Sequence, residues 1–525
     1  MAFNVRSRVL KFFQLNGLIL RSEASKYLTE FLKDFEEKDI LKCLEKIITI
    51  IQRQPLDAEF VTKELVELAI KECSDIDEDG QKDYFSVIDA FSFPAFVYDS
   101  EKKKFFPRST SSGPKLYGDA DSKSSIFIER YKLIHQRTIS HQLFMAPVFE
   151  NNGSSHSQSF SLKSVEYLLG TTSKQGNLLV LGMLTQLKEG RYYLEDPTGA
   201  IQLNLSKTVY KGGLFTENCF VLAEGYCEDS IFHVSALGFP PPETSQTTLK
   251  RFECLNLCGN ISVNKFLKLK ALEKNHQDAM FVFLSDVWLD KIQVMQKLGV
   301  LFAGYSEMPP TCFVFMGNFL STHAGYSHFQ ATKDGFKKLA SLISEFPRLV
   351  ENSYFVFIPG PNDPVLSHIL PRPAIPNTFL DDFLKKVPKA VFTTNPCRIR
   401  FYTQNILIFR EDLIAKMCRN SVYFPWEHEN DIDIPTLFAK TLVANAHLSP
   451  LPLVVQPVYW EWDFALYLYP LPDVIVCGDK YDPYCVTNTD CIFFNPGSFP
   501  QSNFSFKVYL PGSKQVEDSQ ITETD

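Results

Sequence analysis

Apolar and polar positions follow three patterns in turn along the chain. Over residues 1–75 apolar side chains recur three and four apart. "EASKYLTEFLKDF" places Ala24, Tyr27, Leu28, Phe31 and Leu32 on one face, and "DILKCLEKIITIIQ" repeats this with Ile40, Leu41, Leu44, Ile47 and Ile48. That spacing marks amphipathic helices, so a small N-terminal helical bundle is expected. From about Lys163 to Pro242 the period changes to two. In "YYLEDPTGAIQL", Tyr193 and Leu194 end one strand and Asp196-Pro197-Thr198-Gly199 makes a turn. Ile201 and Leu203 then face one side of the next strand,. "CFVLAEGYCEDSIFHVSALGF" supplies two more strands around Glu228-Asp229. From about Asp278 onward, short wholly apolar runs end in polar loops: "MFVFLSDVWLD", "CFVFMGNF", "YFVFIPGPNDP" and "DVIVCGDKYDPY". Amphipathic segments such as "ATKDGFKKLASLISEF" separate them. This is α/β patterning, with loops at the carboxyl ends of buried strands.

The intervening stretches read differently. "SDIDEDGQKD", Ser74 to Asp83, is an acidic hinge, and residues 76–160 are expected to be an extended linker with a few anchored segments, among them the helical pattern "IFIERYKLIHQRTIS". The tail, residues 512–525, is acidic and expected to be disordered,. Within the linker, "YGDADS" resembles the acidic metal-binding pair of family B DNA polymerases. Its Ser-, Gly- and Lys-rich flanks favour a solvated loop, which would make Asp119 and Asp121 coincidental,.

Charge narrows the function. The net charge is -8 and the sequence pI about 5.8, so nothing points to broad electrostatic attachment to nucleic acid,. Residues 1–75 carry 12 basic and 13 acidic side chains, a surface suited to a protein partner. The 12 cysteines contain no C-x-x-C pair; Cys254 and Cys258 have no matching second pair, so zinc is not expected and the thiols read as reduced,. No apolar run reaches the length of a membrane helix,. The alternating segment resembles an OB-fold β-barrel, placed at residues 161–245. Such folds bind single strands through basic grooves and exposed aromatics, which makes Tyr192, Tyr193 and Phe232 the surface candidates. Residues 177–240 hold 4 basic and 7 acidic side chains, which favours core or partner contact over DNA.

The strand-end loops resemble those of the calcineurin-like metallophosphoesterases, and the resemblance implies a phosphoesterase-like α/β sandwich over residues 246–511. That family holds two metal ions with Asp, His and Asn side chains, because two ions activate water and neutralise the phosphate in transfer. Carried over residue by residue, the frames persist and most ligands do not. Asp286 is kept, but Trp288 stands where a His belongs. Gly317 is kept, but Asn318 replaces the bridging Asp. Gly360 and Asp363 are kept, while Pro361 and Asn362 replace the ligand Asn and the catalytic His. Gly478 is kept, and Asp479 and Tyr481 replace two His. His447 is the one surviving His. The resemblance therefore implies an inactive domain without metal or cofactor.

A helical N-terminus, a linker, an OB-fold and an inactivated phosphoesterase domain occur together in the B-subunits of eukaryotic replicative DNA polymerases. "LKEGRYYLEDPTGAIQL", "DAMFVFLSDVWLD", "VFTTNPCRIRFYTQ", "FREDL" and "NPGSFP" resemble the epsilon branch of that family. The expected architecture is thus multidomain α+β. The resemblance implies a nuclear, non-catalytic scaffold in chromosomal replication and repair. It would hold the C-terminal zinc module of the catalytic subunit, sit in one complex with small histone-fold subunits, and meet the replicative helicase assembly through its N-terminal domain. DNA would be touched at most indirectly. The rival expectations are a B-subunit of another replicative polymerase, a degenerate but active phosphoesterase, and an OB protein that binds single-stranded DNA.

Overall fold

The structure is a computed structural model. It describes residues 9–32 except 15, scattered positions from 44 to 69, and residues 84–99, 101–102, 104–108, 113–145, 160–170, 176–251, 269–322 except 275, 328–423 and 433–521. The chain divides into two compact units, residues 1–85 with 260–272, and residues 86–259 with 273–525.

In the first unit the Ser22–Phe31 helix turns Ala24 and Leu28 inward. They join Leu32, Leu44, Ile47, Ile48, Ile51, Val61 and Val66 in one core, as the helical spacing predicts, with Tyr27 at its edge. A two-residue parallel pair, Ile19–Leu20 against Phe60–Val61, was not expected. Ile40, Leu41, the acidic hinge, Cys254 and Cys258 lie outside the described residues.

The second unit contains a barrel and a sandwich. Strands Leu178–Lys188, Arg191–Asp196, Gly199–Asn204, Phe220–Glu228 and Ile231–Gly238 form the barrel, which closes where Ile231, Phe232 and His233 pair in parallel with Gln202, Leu203 and Asn204. The expected turn is present. Asp196 Oδ1 accepts hydrogen bonds from the Thr198 and Gly199 amides (2.8 and 3.1 Å), and its Oδ2 accepts from the Val165 amide (2.9 Å), pinning the short Val165–Gly170 helix against the barrel.

The sandwich has two six-stranded sheets. The first runs Ala390–Phe392, Tyr354–Ile358, Cys312–Met316, Phe281–Ser285, Ser505–Leu510, Gln515–Gln520. The second runs Tyr484–Asn488, Cys491–Asn495, Val474–Gly478, Gln404–Arg410, Cys397–Phe401, Phe85–Asp89. Alternation within each strand explains the layers. Phe281 and Phe283 face the other sheet, where their rings meet Phe401 and Phe494 at 5.1 Å. Val282 and Leu284 face outward and pack with the Ile292–Tyr305 and His328–Ser344 helices. Leu407 and Phe409 likewise pack outward against Leu413–Arg419 and Ile434–Asn445. Each wholly buried phenylalanine contributes roughly 1.5–3 kcal/mol, so the Phe-rich strands are the main source of the sandwich's cohesion.

Three expectations need correction. The stretch read as a linker supplies the Phe85–Asp89 edge strand and a 20-residue helix, Ala120–Ile139. That helix is packed between barrel and sandwich: Leu133 and Ile134 share a buried cluster with Leu181, Met183 and Phe220 on one side and Phe464, Tyr467 and Tyr469 on the other. Arg130 pairs with Asp463, both 4% exposed, and Arg137 donates to the carbonyls of Val443 and Ala444. "YGDADS" is accordingly no loop but a helix start, in which Asp119 is the N-cap and accepts from the Ser122 amide at 2.8 Å. Third, the acidic tail is ordered through residue 520, because Gln515–Gln520 pairs with Ser505–Leu510 and its Asp518 meets the buried Lys507 amine.

Candidate functional site

The carboxyl ends of strands from both sheets converge. Phe281–Ser285 runs into Asp286, which sits in left-handed backbone conformation at φ 56°. Cys312–Met316 runs into Gly317 and Asn318, Tyr354–Ile358 into Pro359 and Gly360, and Val474–Gly478 into Asp479. An isolated bridge pairs Ser285 here with Ser498, which lies between Cys491–Asn495 of the second sheet and Ser505–Leu510 of the first. The packing is tight: a Cβ on Gly317 would fall 1.9 Å from Asp363 Oδ2 and 2.4 Å from the Gly360 amide, so only glycine fits,.

At the centre lies Arg410, the last residue of its strand and fully buried. Nη2 donates to Asp286 Oδ1 at 2.8 Å, Nε to the Gly317 carbonyl at 2.5 Å, and Nη1 to Asp412 Oδ1 at 2.7 Å and the Gly478 carbonyl at 3.1 Å. Burial opposes its charge, but Asp286 and Asp412 outweigh burial, and the guanidinium's hold on its proton is strengthened. Burial likewise works to raise the Asp412 carboxyl, yet Arg410 holds it below the usual range. Around this pair, Asn395 clamps the Arg410 backbone through its side-chain amide (3.0 and 2.6 Å), and Arg372 pairs with the buried Glu411.

The positions singled out from sequence divide into two groups. Asp286, Asn318, Asn362 and Asp363 are brought together. Asp286 Oδ1 accepts from the Asn318 amide nitrogens, main-chain at 3.0 Å and side-chain at 3.2 Å, and Asn318 Oδ1 accepts from the Asn362 amide at 2.9 Å. Asp363 takes the Phe319 and Gly360 amides, both at 2.7 Å, and burial pushes its pKa up to about 6. Asp479 is adjacent through Gly478 and is spent on backbone, accepting from Ile414 (3.0 Å) and Tyr481 (2.9 Å); burial raises its carboxyl.

The side chains of the others stay out of this network. Trp288 packs along the hydrophobic core beneath the first sheet, Tyr481 along that beneath the second, and Pro361 is half-buried. His447 is buried, with Nδ1 accepting from the Ser449 amide at 2.9 Å and Nε2 standing 3.3 Å from Asp463 Oδ1 outside good hydrogen-bond geometry. Burial and then Arg130 lower its pKa, so it is a neutral imidazole at the helix–sandwich contact. Of the OB candidates, Phe232 is wrong as a surface group. It has no exposed area and fills the barrel core, because it shares strand parity with buried Val234. Tyr192 leans on the same core, and Tyr193 is half-buried.

Sequence reading missed Arg410. A charged residue ending a strand reads as surface, and its only signal was its place inside "FREDL". Among the described residues, no cluster of three or more His, Cys, Asp and Glu side chains is arranged to hold a metal ion, and no helix is long and apolar enough to cross a membrane.

Comparison with known proteins places this geometry. A family model describing the B-subunit of DNA polymerases alpha and epsilon matches residues 281–486, the DNA polymerase epsilon subunit 2-like OB-fold domain matches 120–241, and the DNA polymerases epsilon N-terminal model matches 1–73. The OB-fold match thus begins at the Ala120–Ile139 helix. A solved archaeal phosphodiesterase is 12% identical with a TM-score of 0.25, covering 46% of this chain and 99% of its own. The DNA polymerase epsilon subunit 2 of Mus musculus is 50% identical and that of Homo sapiens 51%, each over 522 residues covering 98% of both chains. With that identity along its whole length, the chain belongs to the DNA polymerase epsilon subunit 2 family, an accessory subunit of a replicative polymerase.

Proposed function

We propose that this chain is a non-catalytic scaffold in which a phosphoesterase-like site has been rebuilt as a structural joint. The observation that carries this reading is the buried Arg410 guanidinium, which engages Asp286 and Asp412 and the Gly317 and Gly478 carbonyls at the strand ends. A two-metal centre does not fit these residues. A fixed positive charge sits among the oxygens that ions would need, Asp363 and Asp479 are taken by backbone amides, and Trp288, Pro361, Asn362 and Tyr481 supply none of the usual ligands. No water is activated and no phosphodiester is cut.

The scaffold's body is the single unit of barrel, Ala120–Ile139 helix and sandwich. Several bonds support its unity: the Phe220 amide donates to Asn445 Oδ1 at 2.7 Å, Thr216 to the Pro450 carbonyl at 2.5 Å, and Val422 to the Phe215 carbonyl at 2.7 Å. In this reading the body holds the C-terminal zinc module of the catalytic subunit. The N-terminal helical unit reaches the replicative helicase assembly, and the histone-fold subunits share the complex in the nucleus. Co-expression with each partner tests it. A chain lacking residues 1–75 is expected to retain the zinc module and to lose the helicase assembly; the opposite pattern overturns the assignment.

A further inference from the structure

Four aromatic rings run from the barrel core to the surface. Phe239 stacks on Phe215 with centroids 4.5 Å apart, Phe215 meets Tyr210 edge-on at 5.5 Å, and Tyr210 lies flat on Tyr423 at 4.2 Å with their planes 3° apart. Phe215 is 1% exposed and Tyr423 39%, so the series begins in the interior and ends in solvent. Tyr423 follows the Leu413–Arg419 helix of the sandwich, but the barrel sets its position. The Val422 amide donates to the Phe215 carbonyl at 2.7 Å, Thr216 bridges Ser421, and the Ser421 hydroxyl donates to the Tyr423 carbonyl at 2.7 Å. The last ring is thus held in place before anything binds to it, which lowers the ordering cost of binding.

Cations border the ring. Residues 205–216 and 413–423, which carry the two tyrosines, hold Lys207, Lys211, Lys416 and Arg419 and no acidic residue. Lys207, Lys211 and Arg419 are exposed. The Lys440 amine reaches the same border from the Ile434–Asn445 helix, standing 2.8 Å from where a Cβ on Gly212 would lie, two residues past Tyr210. A flat ring presented to solvent beside ammonium and guanidinium groups is the chemistry that takes an unpaired base and its phosphate.

We propose that Tyr423 is a stacking platform for a base of single-stranded nucleic acid, with Lys440, Lys211 and Arg419 placed to meet the adjoining phosphates. The site lies at the seam of barrel and sandwich, away from Tyr193 and the buried Phe232, and it departs from the expectation that DNA is touched at most indirectly. Tyr423 is followed in the chain by Glu427, Glu429, Asp431 and Asp433, which oppose a polyanion. Stacking therefore carries more of the binding than charge does, and the salt dependence is expected to be shallow. The inference does not rest on the scaffold reading, and its failure leaves that reading untouched.

The experiment is fluorescence anisotropy of the full chain at low salt with labelled oligo(dT), oligo(rU) and a DNA duplex of the same length. Wild type is expected to bind the single strands and not the duplex, whose bases are already stacked; the two single strands distinguish DNA from RNA. Tyr423→Ala should weaken binding roughly tenfold, while Tyr423→Trp, which keeps the flat ring, should retain it. Lys440→Glu should weaken it as well, and the same charge change at the exposed Lys188 of the barrel should not. Melting temperatures of the variants show that each remains folded. Absence of single-strand binding, equal affinity for the duplex, or a folded Tyr423→Ala chain that binds like wild type overturns the proposal.

Discussion

Replacing Arg130 with alanine tests the idea that the Ala120–Ile139 helix is part of the body. The side chain crosses to Asp463 with Nε at 2.8 Å from Oδ2 and a second, shorter bond from Nη2, and both partners are 4% exposed. Burial disfavours the Asp463 carboxylate, but Arg130 more than compensates and holds its pKa below the usual range. Truncating one partner strands a buried charge, which costs about 3–5 kcal/mol. His447, with Nε2 3.3 Å from Asp463, is the group able to respond. In the wild type, burial and Arg130 keep it neutral. Without Arg130 one of the two causes that lower it is gone, so its folded pKa should rise relative to the wild type's. A folded histidine pKa higher than the wild type's favours the variant at low pH, and that advantage is lost as pH climbs through it. The deficit of Arg130→Ala should therefore be smaller near pH 6 than near pH 8. Denaturant unfolding of the full chain at both pH values is the assay. The variant Arg130→Ala with Asp463→Asn, which removes the stranded charge, should be more stable at pH 8 than Arg130→Ala alone. A loss under about 1 kcal/mol, typical of an exposed pair, or a deficit identical at both pH values, would refute the buried-pair argument.

Three further outcomes are expected. The purified chain should hydrolyse no phosphodiester with added Mn²⁺; turnover that survives stringent purification and disappears in Asp286→Ala would contradict this. Asp119→Ala removes an N-cap that accepts the Ser122 amide and should lower the denaturant midpoint,, whereas Asp121→Ala should leave it unchanged, both read by denaturant unfolding and neither changing nucleotide incorporation by the assembled complex. Gly317→Ala, whose Cβ would overlap Asp363 and the Gly360 amide, should yield little soluble protein; normal yield and an unchanged melting temperature would mean that the loop has room.

The sandwich strands were legible because they are apolar on both faces, and the barrel turn because Asp-Pro-Thr-Gly has one conformational use. The site was legible as a set of loops, through glycines whose backbones approach closely. What escaped reading had polarity opposed to its position. The helical pattern of residues 126–140 was read, but not its burial: the Ala120–Ile139 helix buries Arg130, Gln136 and Arg137, which in sequence resemble a solvated face. Gln515–Gln520 is a polar edge strand held by backbone bonds and by Asp518, with little apolar signal to announce it. Phe232 was misassigned although its parity with Val234 was available in the sequence. Arg410 was hidden for a different reason: its neighbour Asp412 aside, it is satisfied by carbonyls and by Asp286, 124 positions away, and local spacing carries no trace of those contacts.

The same helix imposes an order on folding. Arg130 meets Asp463 across 333 residues, Arg137 meets Val443 across 306, and the Ala90 amide meets Thr394 across 304. During synthesis the helix and the edge strand leave the ribosome long before the surfaces that bury their charges exist. The intervening barrel can close on local pairings, but the helix must wait, with two arginines destined for the interior still hydrated. Contacts of such separation form late and slowly. The body of this subunit therefore completes its core only when the segment carrying Val443 and Asp463 emerges, and until then the Ala120–Ile139 helix is a ready target for chaperones.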